Sequence, residues 1–242
     1  MDWSSLFVDM SPANFFNFSF LPKYASFFIE GIVYTLLLSI VAVALAVIPA
    51  LLLALMRLSK NRIIKAISGA YIAVFRSTPL LVQLMIIYFG LFGIIRIPSV
   101  QIGFIDISRF IPGVVALAIN SSAYVAEIFR AGILAVDIGQ TEAARSLGMT
   151  GAMSMRLVVL PQAIKNILPA LANELITMVK ESSICMTLGM AELMWGAKTV
   201  AGTTYITIAP YVLAAIIYFC INFPASKGIE AIERRMRRGD KH

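Results

Sequence analysis

Histidine is all but missing from this chain of 242 residues: its single copy, His242, is the last residue. That scarcity excludes a histidine-based zinc site and Ser-His-Asp chemistry together. Cysteine is nearly as scarce. Cys185 and Cys220 each sit among apolar neighbours and form neither a disulfide framework nor a CxxC metal or redox motif, so both read as packing residues. Charge is thin as well, at 14% Asp, Glu, Lys and Arg, where soluble domains carry about 25%. No G-x-x-x-x-G-K-[ST] stretch occurs, so the chain has no phosphate-cradling loop of that kind.

What the chain has instead is apolar length. Sixty per cent of its residues are hydrophobic and its mean hydropathy is +0.87, which excludes a water-soluble globular domain and points to one all-α domain embedded in a membrane. The net charge of +7 comes from 20 Lys and Arg against 13 Asp and Glu. These bases flank apolar runs instead of clustering on a solvated face. That is a membrane pattern, with lipid as neighbour and no nucleic acid partner expected.

Residues 31–56 hold no charge, long enough to span a bilayer core. Further spans are expected at about 66–95, 111–136, 161–190 and 203–225. Arg57, Lys60, Arg62 and Lys65 follow the first, and Arg234, Arg235, Arg237, Arg238 and Lys241 close the chain. Placing both groups in the cytoplasm requires an odd number of crossings, hence five, with the N-terminus outside and the C-terminus inside. Residues 1–23 start with Asp2 and Asp9 and lack a cleavage site, so they do not read as a signal peptide. Their aromatics (Trp3, Phe7, Phe15, Phe16, Phe18, Phe20) predict a segment lying at the membrane interface outside the cell. Residues 24–232 then form the transmembrane domain and 233–242 a basic cytoplasmic tail.

Between the third and fourth spans, residues 137–155 read as a small-residue helical stretch punctuated by Gly139, Gly148 and Gly151. Asp137 is a candidate N-cap, with Glu142 early in the helix where the dipole favours an acid. This is the segment that carries a resemblance. Glu142-Ala143-Ala144, then Gly148, then Val158, Leu160 and Pro161 reproduce, with Val158 in place of isoleucine, the EAA signature of ABC importer permeases. Its surroundings, Asp137-Ile138-Gly139-Gln140 and Gln162-Ala163, are similar to those of the polar amino-acid uptake subfamily. So are Arg76-Ser77-Thr78-Pro79-Leu80-Leu81-Val82-Gln83, where glycine is commoner at the position of Ser77, and Asn120-Ser121-Ser122-Ala123-Tyr124-Val125-Ala126-Glu127. Asn173-Glu174 and Lys180-Glu181-Ser182 match a fourth-span pattern. The resemblance covers residues 31–238.

It implies a type I importer permease of a bacterial plasma membrane, without catalysis of its own. Its expected partners are two ATP-binding cassette ATPase subunits, a second permease, identical or paralogous, and an extracytoplasmic amino-acid-binding protein. ATP and Mg²⁺ would be bound by the partner ATPase, leaving no cofactor or metal in this chain. Glu142, Ala143, Ala144, Arg145 and Gly148 are the expected coupling residues. The small side chains let a short helix enter a cleft of the ATPase, while Glu142 and Arg145 offer one charge of each sign.

Ionisable groups inside a span cost about 2.5–3.5 kcal/mol on insertion scales, so each calls for a partner or a cavity. Glu174 and Glu181, seven residues apart, fall within about 20° of one helix face and about 10 Å apart along it. Two acids on one face suit a cationic or zwitterionic substrate. The resemblance places Asn120, Glu174 and Glu181 at substrate contacts, with Gln83 as polar companion on the next helix; it leaves neutral polar amino acids open beside Arg-, Lys- or His-like ones. Glu174 has the alternative of pairing with Lys180 or Arg76, and Arg76 of holding a helix contact or facing an α-carboxylate. Glu127 and Arg130, at i and i+3, are expected to pair locally. Pro49, Pro79 and Pro112 lie at or within spans, where kinks are expected. The rival to an ATP-driven importer is an ion-coupled secondary transporter or channel using Glu174 and Glu181. Against it stand the EAA loop and the absence of a repeat of broken helices.

Overall fold

A computed structural model describes residues 15–238, and the fold is almost entirely helical. Helix α1 (Leu21–Leu58) runs for 38 residues, about 57 Å and well beyond a hydrocarbon core of about 30 Å. It therefore starts ten residues before the uncharged stretch and carries Lys23 and Glu30 on exposed positions. Along it, Ala42, Ala46, Ala50 and Ala54 form an i, i+4 stripe with no exposure. The stripe packs against α4 (Ile107–Leu134), which answers with Ala123, Val125 and Ala126. Small side chains let the two backbones approach, the usual basis of helix packing in membranes.

The expected second span is broken. Helices α2 (Arg62–Ser77) and α3 (Leu80–Ile94) meet at Thr78–Pro79 and are bent by 106°. Pro79 supplies no N–H and confines Thr78 to an extended conformation, φ −113° and ψ 146°, so the α2 ladder stops there. Within α3, residues Ile86–Leu91 widen into a π-helical turn. A hairpin of β1 (Gln101–Ile102) and β2 (Ile105–Asp106) leads to α4, which Asp106 caps by accepting from the Ser108 N–H.

After α4 come α5 (Ile138–Ser146), the single turn α6 (Gly151–Ser154), a π-helical segment at Met155–Val159, and α7 (Leu160–Glu181), which ends in a 3₁₀ stretch at Ser182–Leu188. The expected fifth span, about 203–225, falls mainly on the last helix, and the interval left before it is helical as well. Helix α8 (Leu193–Thr204) ends with Tyr205 in the left-handed region, φ 58°, and α9 (Ala209–Arg238) starts anew and stays helical into the basic tail.

Among the described residues, α1, α4 and α9 are long and apolar enough to cross a membrane, and the α2–α3 pair makes a fourth if counted as one broken span. Helix α7, 22 residues long, carries Lys165, Glu174, Lys180 and Glu181, which lower its apolar character. The core has three parts: Tyr34, Leu38, Leu117 and Met178; Ala50, Ile72, Ala123 and Ile167; and Phe20, Phe28, Leu193 and Ala197. Phe20 is therefore a core residue, stacked on Phe28 at 6.0 Å, not an interfacial one. Phe15 and Phe16 are exposed, and Trp3 and Phe7 lie outside the described residues. Cys185 is buried as expected; Cys220 is exposed on α9.

Candidate functional site

Three successive residues near the middle of α4 bind three different elements. Asn120, Ser121 and Ser122 are all buried. Asn120 Nδ2 donates to Gln83 Oε1 at 2.8 Å, Ser121 Oγ donates to Glu174 Oε1 at 2.8 Å, and Ser122 Oγ lies 2.8 Å from the Tyr71 hydroxyl, which donates to the Ile119 carbonyl at 3.0 Å. Successive helical side chains diverge by about 100°, so a run of three polar residues reaches α3, α7 and α2 at once.

The Gln83–Asn120 pair belongs to the α2–α3 corner. Gln83 Nε2 donates to the carbonyls of Phe75 (2.9 Å) and Thr78 (3.0 Å) and to Thr78 Oγ1 (2.8 Å). These carbonyls are among those a helix ending at a proline leaves without an N–H, and an unmet carbonyl within a membrane costs several kcal/mol. The side chains expected to face a substrate are thus brought together, but as a buried network that supports the bend.

Glu174 and Glu181 are both on α7, and both are half-buried. The expected alternative partners of Glu174, Lys180 and Arg76, are replaced by Ser121. Glu181, the last residue of α7, lies at the edge of an open groove of about 710 Å³. Its walls are Leu80 of α3, Lys180 beside Glu181, Met194 of α8, and Ala215 and Tyr218 of α9. Lys180 itself is exposed.

The EAA segment is a separate surface. Asp137 caps α5 as its sequence predicts, accepting from the Gly139 N–H at 2.7 Å. Since α5 opens at Ile138, Glu142 is its fifth residue and lies beyond the first turn, so the expected dipole advantage does not reach it. Ala144 is 4% exposed and anchors the helix, whereas Glu142, Ala143 and Arg145 face outward. Gly148 closes it with φ +82°, a left-handed C-terminal turn in which its own N–H reaches the Arg145 carbonyl and that of Met149 the Ala144 carbonyl. Gln162 Nε2 ties α7 to α5 through Gln140 Oε1 at 3.4 Å. Ile138 and Leu147 are 74% and 82% exposed, an apolar edge on the same short helix.

Sequence reasoning missed Glu192. It is fully buried and caps α8, accepting from the N–H groups of Met194 (2.8 Å) and Trp195 (2.6 Å) and from the Tyr218 hydroxyl (3.2 Å). Its signal was present as an acid immediately before an apolar helical run. Around it Gly31 and Gly196 permit close approach: a Cβ on Gly31 would lie 2.7 Å from the Leu193 Cα.

Residues 46–238 match the family described as binding-protein-dependent transport system inner membrane component. The chain is similar to a putative glutamine transport system permease protein of Rickettsia typhi, 42% identical over 90% of this chain and 95% of that one. It is also similar to the arginine transport system permease protein of Bacillus subtilis, 41% identical over 88% and 94%. Among solved structures, a chain from the crystal structure of an amino acid ABC transporter with histidines is 50% identical, with a TM-score of 0.81 over 90% of this chain and 98% of that one.

Proposed function

The chain belongs to the family of binding-protein-dependent transport system inner membrane components, and on that premise we propose that it forms the pathway by which polar amino acids, cationic ones above all, enter the cell. It is a non-catalytic permease subunit with a type I ABC importer fold, and a multi-pass inner-membrane protein. The observation that carries the substrate reading is the placement of Glu174 and Glu181 on α7, one bonded to Ser121 and the other at the edge of an open groove. The arginine permease among its relatives supports a cationic substrate; those named for glutamine favour a neutral polar one as the second reading.

In this reading Glu181 meets the cationic end of the solute and Glu174, held by Ser121, takes it further along α7. Gln83 and Asn120 keep the corner beside that route rigid. The exposed face of α5, with Glu142, Ala143, Arg145 and Gly148, sits in a cleft of an ATPase subunit, and Ala144 joins it to the helical body. Two ATPases, which bind ATP and Mg²⁺, and a second permease complete the assembly, and a binding protein delivers the solute from outside. Closure of the ATPase pair moves α5 as a rigid body and opens the pathway outward; hydrolysis returns it inward. Five crossings, the α2–α3 pair and α7 included, put the N-terminus outside and both basic clusters in the cytoplasm.

The test is uptake by the reconstituted complex. Opposite unit charges 4 Å apart attract by about 4 kcal/mol at an effective dielectric of 20 and about 1 kcal/mol in water. A half-buried Glu181 falls between, near ~2 kcal/mol, so Glu181→Gln raises the half-saturating concentration of arginine or lysine roughly 30-fold while glutamine is spared. Equal losses for cationic and neutral solutes refute the cationic preference.

A further inference from the structure

Where α1, α2 and α4 meet, three guanidinium groups lie around one carboxylate. Arg130 holds Glu127 through Nε at 2.9 Å and Nη2 at 2.7 Å, the local pair its sequence predicts. Arg57, next to the end of α1, has its Nε 3.6 Å from Glu127 Oε1, and these two atoms are buried without a hydrogen-bond partner. Arg76, in the last turn of α2, lies over the Tyr124 ring at 5.3 Å and is exposed. Between the helices is a cavity of about 420 Å³ lined by Arg57, Gly69, Ala73, Arg76, Ser77 and Glu127. Gly69 makes room for Arg57: a Cβ there would lie 3.0 Å from Arg57 Nη1.

We propose that this cavity binds a phosphate-bearing anion, presented by the headgroup of an anionic phospholipid. Three positive charges against one leave a surplus of two, and Arg130 alone makes close contacts to Glu127, both of them to Oε2. Arg57 and Arg76 therefore face the cavity from two helices with unspent planar donors, the geometry that matches phosphate oxygens. Tyr124 steadies the Arg76 plane while leaving its edge open, and Ser77 adds a hydroxyl. The depth also fits a lipid. Arg57 is one residue from the end of α1, on the side the basic clusters assign to the cytoplasm, where anionic headgroups meet basic pockets between helices. The surplus charge repels a choline headgroup, so the site selects net-anionic lipid.

The experiment is native mass spectrometry and thermal unfolding of the intact transporter complex with phosphatidylglycerol, phosphatidylcholine or inorganic phosphate. Phosphatidylglycerol is expected to stay bound and raise the unfolding midpoint, and phosphatidylcholine to do neither. Arg76→Gln, at an exposed position, weakens phosphatidylglycerol binding roughly tenfold, and Arg76→Lys restores part of it. Gly69→Leu, which fills the space beside Arg57 and pushes its guanidinium aside without changing the net charge, abolishes binding. Equal retention of the two lipids, or unchanged binding in Arg76→Gln, overturns the site. Displacement by millimolar inorganic phosphate overturns the lipid as its source and assigns the same donors to a soluble anion.

Discussion

Removing Glu192 tests how α8 and α9 are held together. Its carboxyl satisfies two N–H groups at the start of α8, at 2.8 and 2.6 Å, and receives the Tyr218 hydroxyl at 3.2 Å. Loss of an N-cap costs about 1–2 kcal/mol. Truncating a fully buried side chain adds the cost of the space left behind and of donors left unmet, about 1–3 kcal/mol. Glu192→Ala is therefore expected to cost about 3 kcal/mol, a fall of roughly 6–12 °C in the unfolding midpoint for a chain of this size. Fluorescence follows it directly, because Trp195 is in the first turn of α8 and the chain's other tryptophan is Trp3. Glu192→Gln keeps one acceptor oxygen and loses about half as much. Tyr218→Phe removes only the longest of the Glu192 contacts, costs about 1 kcal/mol, and is non-additive with Glu192→Ala because the two side chains bond each other. A Glu192→Ala chain within about 0.5 kcal/mol of wild type, or a Tyr218→Phe loss as large as that of Glu192→Ala, refutes the capping argument.

Gly31→Ala forces a Cβ to 2.7 Å from backbone atoms of α8, so it lowers stability by about 1–3 kcal/mol in the same unfolding assay; an unchanged midpoint shows that α1 and α8 are free to separate. Gln83→Leu leaves the Thr78 carbonyl without its side-chain donor and the Phe75 carbonyl with only the 3.4 Å contact from Asn120, and costs about 2–4 kcal/mol, with α3 exchanging its amides faster near the corner; unaltered exchange contradicts the bracing role. Glu142→Lys, at an exposed position of α5, leaves the unfolding midpoint within about 0.5 kcal/mol of wild type and abolishes uptake by the reconstituted complex; undiminished uptake contradicts the coupling assignment.

The parts legible in the sequence are those written in local spacing. Asp137 as a cap and Glu127 with Arg130 at i, i+3 required only neighbours in the chain, and both hold. The chain's family was legible because the EAA spacing, the Arg76–Gln83 stretch and the Asn120–Glu127 stretch are contiguous words. What escaped depends on partners far along the chain. Pro79 signalled a kink, but a corner of 106° is sustained by the Gln83 amide and, through it, by Asn120 on another helix. For the same reason two residues expected to face a solute are turned toward backbone. Helix α8 went unread because it lies in the interval left between the expected fourth and fifth spans; Glu192 before it is marked in the sequence only as an acid ahead of an apolar run, and its burial against Tyr218 depends on a partner 26 residues away. Helix α1 looked shorter than it is because Lys23 and Glu30 lie on its solvated face.

In the proposed cycle an ATPase drives solute movement through α5. Intact mass spectrometry of the complex, purified gently from its native membrane through a tag on this chain, tests that most directly. A nucleotide-binding ATPase recovered in a 2:2 ratio with permease chains, and lost from the Glu142→Lys variant, is the predicted result, and the masses distinguish one permease species from two. A chain that runs alone or only with copies of itself, with no ATPase after crosslinking, refutes the coupling through α5.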